Sequence, residues 1–308
     1  MEISIVVLTY NRPKHVVCLI RELLCIGSIC SEIVIVDNNS DCSIDEFLGE
    51  FSSKIKLIKL ESNIGIGGRN VGILNCTNDI VITIDDDIYG LDEQKIIKIL
   101  SIFNDENLAA VCFRVVDYST KKIINWCHHY PVEKFKDREF LTNEISEGAV
   151  AFRRDAIIKV GMYADYFFIS HEGPDLACRL LDAGYDIKFS PDVEVLHKHA
   201  SEGRTSWRRY YFDTRNLLWL VTRNYPLWYG TKKYAIGILS LLLYSLRDGY
   251  FRYWLRGVRD SLIHIKRPLS ERHKLSDQTM GKIKEIMKHR TQFWVLVRKR
   301  IFQRQIRI

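Results

Sequence analysis

Apolar residues in the first two-thirds of the chain fall into short runs separated by stretches of helical periodicity. Ser4–Thr9, Glu32–Asp37, Ile55–Leu60, Ile80–Asp85 and Ala109–Val116 are rich in Ile and Val, the composition of strands covered on both faces. Between them, Pro13–Leu24, Gly68–Asn75 and Leu91–Phe103 read as helices. This order predicts βαβ units with right-handed crossovers. The expected fold is a Rossmann-like, mainly parallel α/β sheet flanked by helices, which binds ligands beyond the carboxyl ends of its strands.

Polar residues collect at those ends. The first strand runs into Thr9-Tyr10-Asn11-Arg12-Pro13 and the second into Asp37-Asn38-Asn39-Ser40. The third leads to Asn63-Ile64-Gly65-Ile66-Gly67-Gly68-Arg69-Asn70, and the fourth stops at Asp85-Asp86-Asp87. A buried strand cannot carry three unpaired carboxylates, so a cation is expected there. Hard oxygen donors suit Mg²⁺ or Mn²⁺, ions that share their coordination with substrate phosphates. The competing reading is an acidic turn that solvates the strand end and caps the following helix. In the glycine-rich segment, backbone N–H groups and Arg69 can approach a ribose or diphosphate, or the glycines serve only a sharp turn.

Composition adds a globular core and a charge asymmetry. The 308 residues are 47% hydrophobic, enough for one large domain or two. Residues 207–308 hold 23 Lys+Arg against 6 Asp+Glu; of the chain's 45 and 38, that leaves 22 against 32 for residues 1–206. The boundary is expected to separate a catalytic domain, 1–206, from a helical, basic C-terminal region, 207–308, that docks on a membrane surface or an acceptor. Nucleic acid is the rival partner for the positive charge, but no zinc-finger, RRM or KH signature is present. Tyr234–Leu246 is apolar yet well short of the ~20 residues that span a bilayer. The segment Trp294–Ile308, with Trp294, Val295, Val297, Ile301 and Phe302 among cations, suits lipid headgroups, or else a basic face packed on the first domain. Eight cysteines without close metal-type pairs read as reduced thiols, hence a cytoplasmic setting, peripheral to the inner face of the plasma membrane. Met1–Leu8 reads as a strand, not a leader.

The succession TYNRP, VDNNS, NIGIGGRN, IDDD, EGAVAFRR and HEGPDLACRLLDAGY resembles the family 2 inverting glycosyltransferases of the GT-A fold, including bacterial rhamnosyltransferase-like members, over roughly residues 3–225. The resemblance implies that Thr9, Asn11 and Arg12 open a nucleotide pocket together with Asn39, Asn63, Gly67, Arg69 and Asp86. It implies that Asp37 accepts from the imide N–H of uracil or thymine, the alternative being an Asx-turn with Asn39. Asp85 and Asp87 correspond to a DxD motif, with Asp87 the more direct metal ligand and Asp85 nearer the ribose. His197 resembles a late histidine that joins the metal or diphosphate. The family's usual Glu-Asp pair reads Glu172-Gly173 here, which leaves Glu172 as first candidate for the base and Asp175 as a helix cap or orienting group, or the reverse. Glu147, Gly148, Arg153 and Arg154 are expected to border the acceptor, and Arg208 or Arg209 to close over the diphosphate.

The expected function is a Mn²⁺- or Mg²⁺-dependent inverting transfer from a UDP- or dTDP-sugar to a glycan or lipid-linked glycan in cell-surface polysaccharide synthesis. A sugar-nucleotide nucleotidyltransferase and a catalytically silent nucleotide-binding module are the alternatives.

Overall fold

A computed structural model describes residues 2–42, 44, 54–146, 148–198 and 207–291. Glu147 and the Trp294–Ile308 segment lie outside the described residues.

Among the described residues, nine strands form one sheet: β1 (Ile3–Thr9), β2 (Cys30–Asp37), β3 (Ile55–Lys59), β4 (Ile80–Asp85), β5 (Ile88–Tyr89), β6 (Leu108–Asp117), β7 (Phe140–Leu141), β8 (Ala149–Arg153) and β9 (Asp186–His197). Their order is β3-β2-β1-β4-β8-β6-β9-β5, with β7 beside β9. β1 to β4 pair in parallel, as the alternation of strands and helices predicts, and β6 pairs in parallel with β9. β8 runs antiparallel between β4 and β6. That inserted strand has no helical crossover before it, so the βαβ pattern alone does not reveal it.

Period-two alternation divides the sheet into two apolar layers. Ile5, Val7, Ile33, Ile35, Ile82 and Ile84 face α1 (Pro13–Leu24) and α3 (Glu93–Ile102). Val6, Val34, Val36 and Val81 face the other way, toward α2 (Gly67–Leu74) and, farther along the sheet, α6 (Glu172–Asp182). α1 begins with Pro13, whose missing N–H costs nothing in a first turn. α3 is capped by Asp92, whose carboxylate accepts from the Lys95 N–H at 2.8 Å, so Asp85–Asp87 are not needed as its cap.

Short helices α4 (Val132–Phe135) and α5 (Arg154–Lys159) fill connections. The basic C-terminal region is helical: α7 (Trp207–Asn224), α8 (Leu227–Arg247), α9 (Phe251–Ile263), α10 (Lys266–Ser270) and α11 (Asp277–Ile286). α7 joins the core beside α6 through Leu217, Trp219 and Leu220. No described helix is long and apolar enough to cross a membrane.

Candidate active site

Parallel register brings the predicted residues to one edge. Thr9 stands opposite Asp37, and Leu8 opposite Asp85, so the ends of β1, β2 and β4 are level. Thr9 Oγ1 donates to Asp86 Oδ2 at 2.7 Å. Arg12 Nη1 lies 2.9 Å from both Asp86 Oδ1 and Asp87 Oδ2, and Arg69 Nη2 pairs with Asp85. Three carboxylates thus meet two guanidinium groups, one formal negative charge in excess. Burial pushes Asp86 up to about 6, outweighing Arg12 and Thr9, which pull it down. Burial works to lower the Arg12 pKa, but Asp86, Asp87 and Asp85 more than offset it and the net shift is upward.

His197 arrives by a different route. β9 carries an irregularity opposite Phe113–Arg114, then continues to pair His197 with Asp117 on β6 and with Ile88 on β5. Because β5 starts immediately after the aspartates, His197 Nε2 comes within 3.1 Å of Asp87 Oδ1. Its Nδ1 lies 3.0 Å from the Asn125 amide nitrogen, while Asn125 Oδ1 is buried with no hydrogen-bond partner. Turning that amide over would place the oxygen on Nδ1–H and give Nε2 its lone pair, the form that ligates a cation. Among the described residues no three His, Cys, Asp or Glu side chains converge to hold an ion unaided. The donors fit an ion that takes one or two protein ligands and completes its shell with phosphate and water. Gly148 adds room: a Cβ there would sit 2.8 Å from Asp85 Oδ2.

The loops around this edge are tied together. Asn11 accepts from the Asp41 N–H at 2.7 Å and donates to its carboxylate at 2.8 Å, whereas Asn39 is exposed with φ 67°. Asp37 accepts from the Ser40 N–H at 2.9 Å, a turn of the kind set against the base-recognition role, with Ser40 in place of Asn39. Asn63 accepts from the Gly65 N–H. Asn38, quoted in the sequence but given no role, donates to Gly65 O and accepts from the Ile64 N–H, fastening the glycine segment to β2. Two glycines have steric reasons. Gly65 has φ 57°, and a Cβ would lie 2.2 Å from Phe168 O; on Gly68 it would lie 2.5 Å from Leu8 Cδ1, so α2 lies directly on the sheet. Gly67 is likewise helical, so the segment is a single turn into α2.

Two expectations need correction. The helix that Asp175 was expected to cap begins at Glu172, so Glu172 opens it and Asp175 lies within its first turn. Asp175 is 0% exposed, and its carboxylate accepts from Arg179 at 2.8 Å, Arg223 at 2.9 Å and Asn224 at 2.7 Å. Secondly, Arg153 lies opposite Ile80, at the far end of β4 from the aspartates. Its guanidinium donates to the carbonyls of Phe103, Asp105 and Leu108, and Arg154 donates to Ile73 O. Neither arginine borders the site.

Glu172 is 4% exposed and follows a strained segment. Phe168, Ser170 and His171 have φ of 67°, 76° and 67°, a left-handed conformation unfavourable for each of these side chains. α7 holds the segment. Asn216 Nδ2 reaches the carbonyls of Phe167, Ile169 and Ser170 at 3.0, 2.8 and 2.7 Å, Arg215 donates to Phe167 O, and Ser170 Oγ donates to Asp213. Phe168 O in turn accepts from the Ile66 N–H at 2.8 Å, which docks the approach to Glu172 on the glycine segment. Arg209 is spent on Asp213 at 3.5 Å, while Arg208 is exposed.

The profile of the family described as Glycosyl transferase family 2 matches residues 4–161, just over half of the chain and all four strand ends of the site. The chain belongs to that family. Among curated glycosyltransferases, the O-antigen chain rhamnosyltransferase WbaN of Salmonella anatum is 26% identical over 201 residues, 60% of this chain and 61% of that protein. The chain therefore spans less than two-thirds of the length of that relative. Two solved structures share the GT-A architecture. S. aureus TarS 1-349 in complex with UDP-GlcNAc has a TM-score of 0.61 at 15% identity, with 93% of this chain and 89% of that chain covered. The mannosyltransferase PcManGT of Pyrobaculum calidifontis, in complex with GDP-Man and Mn²⁺, has a TM-score of 0.57 at 12% identity, with 99% and 88% covered. At these identities the likeness is one of fold, and the two nucleotides differ.

Proposed function

We propose that the protein is a metal-dependent inverting glycosyltransferase that moves a sugar, rhamnose by preference, from a UDP- or dTDP-sugar to a glycan or lipid-linked glycan. The observation that carries this reading is the aspartate triplet at the level end of β4, with Asp87 flanked by Arg12 and His197. Asp87 with either Asp85 or His197 would hold Mn²⁺ or Mg²⁺, phosphate and water completing the shell, and the ion when bound would offset charge on the departing nucleoside diphosphate. Asp37, at the end of β2, recognises the pyrimidine edge, and Asn38 sets the glycine segment beneath the ribose. Arg12 and Arg69 keep the carboxylates apart and oriented.

Glu172 is the base. Its carboxylate takes the acceptor hydroxyl proton as that oxygen attacks the anomeric carbon; the bond from that carbon to the diphosphate oxygen breaks, and its electron pair leaves with the diphosphate. Attack opposite the leaving group inverts the centre. Asp175 takes no proton in this scheme, because its oxygens already serve Arg179, Arg223 and Asn224.

A thermal-shift series of UDP, dTDP, GDP and ADP with and without Mn²⁺ tests the donor site, since a ligand that binds only the folded chain raises its midpoint. UDP or dTDP should stabilise most, and more with Mn²⁺. A purine preference would overturn the assignment of Asp37.

A further inference from the structure

Helices α8 and α9 are inside-out. Both lie on α7, and their buried positions are Gly230, Ser245, Gly257, Asp260 and Ser261, small or polar, with Leu241 the one large apolar residue among them. A Cβ on Gly237 would come within 2.6 Å of Leu217, and one on Gly257 within 2.7 Å of Tyr211 O; Ser261 O accepts from the Trp219 indole. The large apolar side chains point the other way. Trp228 is 71% exposed, and Leu239, Leu243 and Leu246, spaced by three or four residues, are 54 to 57% exposed. On α9, Leu255 and Leu262 repeat the pattern at 53% and 59%. A water-facing helix pair is expected to show the opposite arrangement, and an apolar stripe of this extent marks a contact surface.

We propose that this face of α8 and α9 lies in the headgroup layer of an anionic lipid surface. Charge identifies the occupant. Lys232, Arg247, Arg252, Arg256, Arg259 and Lys266 are exposed on or beside the same helices. The acidic residues there are engaged: Asp248 with Arg247 and Tyr210, Asp260 with Arg259 and Tyr211. A second copy of the chain would set these cations against one another, and the basic stretch Arg298-Lys299-Arg300 is an equally poor complement. Anionic headgroups neutralise them, while the leucines and Trp228 reach the acyl boundary. No described helix can span the bilayer, so the mode is attachment in the plane of the interface. The surface is independent of the donor and metal assignments, because none of its residues belongs to the candidate active site.

Full-length protein is mixed with vesicles of phosphatidylcholine alone or with added phosphatidylglycerol, and floated at low and high salt. The protein should float with the anionic vesicles, less at high salt but not to zero, and Trp228 emission should shift to the blue, a shift that Trp228→Phe removes. Joint Lys232→Gln, Arg252→Gln and Lys266→Gln should lower partitioning on the order of 10²-fold, and joint Leu239→Ser and Leu243→Ser should lower the salt-resistant fraction. Donor hydrolysis in solution should persist in both variants, which separates failure of the surface from failure of the active site. No flotation, equal flotation on neutral vesicles, or unchanged binding of both variants would overturn the proposal. So would a concentration-dependent dimer that the serine variant dissociates, which would assign the face to a second copy.

Discussion

Two groups of aspartates in this protein are held by arginines, and they differ in what lies beyond the arginine. At the end of β4, Arg12 and Arg69 come from loops and a helix start at the sheet edge, and Asp85 keeps a side chain 35% exposed. Around Asp175, Arg179 comes from the same helix and Arg223 from α7, and the carboxylate is sealed. The first arrangement has three anions to two cations and an opening; the second is balanced, with Asp175 and, through Arg223, Glu271 against two cations, and an amide besides. An acidic group in surplus at an opening is suited to recruiting a ligand, whereas one neutralised inside a core joins elements. The position of Asp175 after the Glu-Gly of the sequence gave no sign of this difference.

Ranked by expected effect on turnover, substitutions can break the contrast. Asp87→Asn keeps volume but should remove several kcal/mol of transition-state stabilisation, about 10³-fold in transfer rate, together with any Mn²⁺ effect on nucleotide binding, while a cooperative melt persists. Near-normal transfer would dissolve the metal site. Glu172→Gln should lower kcat roughly 10²–10⁴-fold with the KM for donor preserved. Should Asp175→Asn show that pattern instead, the base belongs there.

Asn216→Ala takes the side-chain donor from the Ile169 and Ser170 carbonyls, while Phe167 O keeps Arg215, and about tenfold in kcat is expected from a loss of the order of one hydrogen bond's desolvation cost. Donor affinity, measured by titration with UDP or dTDP, should stay as it was. Asp175→Asn should change turnover least and stability most: breaking a buried pair costs about 3–5 kcal/mol, to be read from chemical unfolding. A wild-type midpoint in that variant would mean that the Asp175 ring does not join α6 to α7.

The parallel half of the sheet was legible because runs of Ile and Val between helical stretches admit few other solutions, and β4 begins and ends at the residues read from sequence. The aspartates were legible as a cluster, since charge at the end of an apolar strand demands a partner; His197 was singled out by the family resemblance, and the structure puts its ring beside Asp87. Long-range pairings were not. β8 between β4 and β6, the Asn38 tether and the Asn216 clamp depend on residues far apart in sequence, which no local period encodes. The start of α6 was misplaced because Gly173 and Pro174 look like breakers, although Pro is tolerated in a first turn.

The left-handed stretch Phe168 to His171 gives the chain a clock. During synthesis the sheet strands emerge first and can pair, yet the Ile169 and Ser170 carbonyls lack their Asn216 donor until that residue leaves the ribosome, and Asp175 is not enclosed until Asn224 follows. A nascent chain therefore acquires the strand-end edge proposed to bind nucleotide well before Glu172, the proposed base, is fixed in place. It would be born able to hold a donor and unable to spend it. A fragment ending at residue 206 should accordingly bind UDP or dTDP and fail to hydrolyse the sugar nucleotide, and supplying residues 207–308 as a separate chain should restore turnover if docking of α7 alone completes the site.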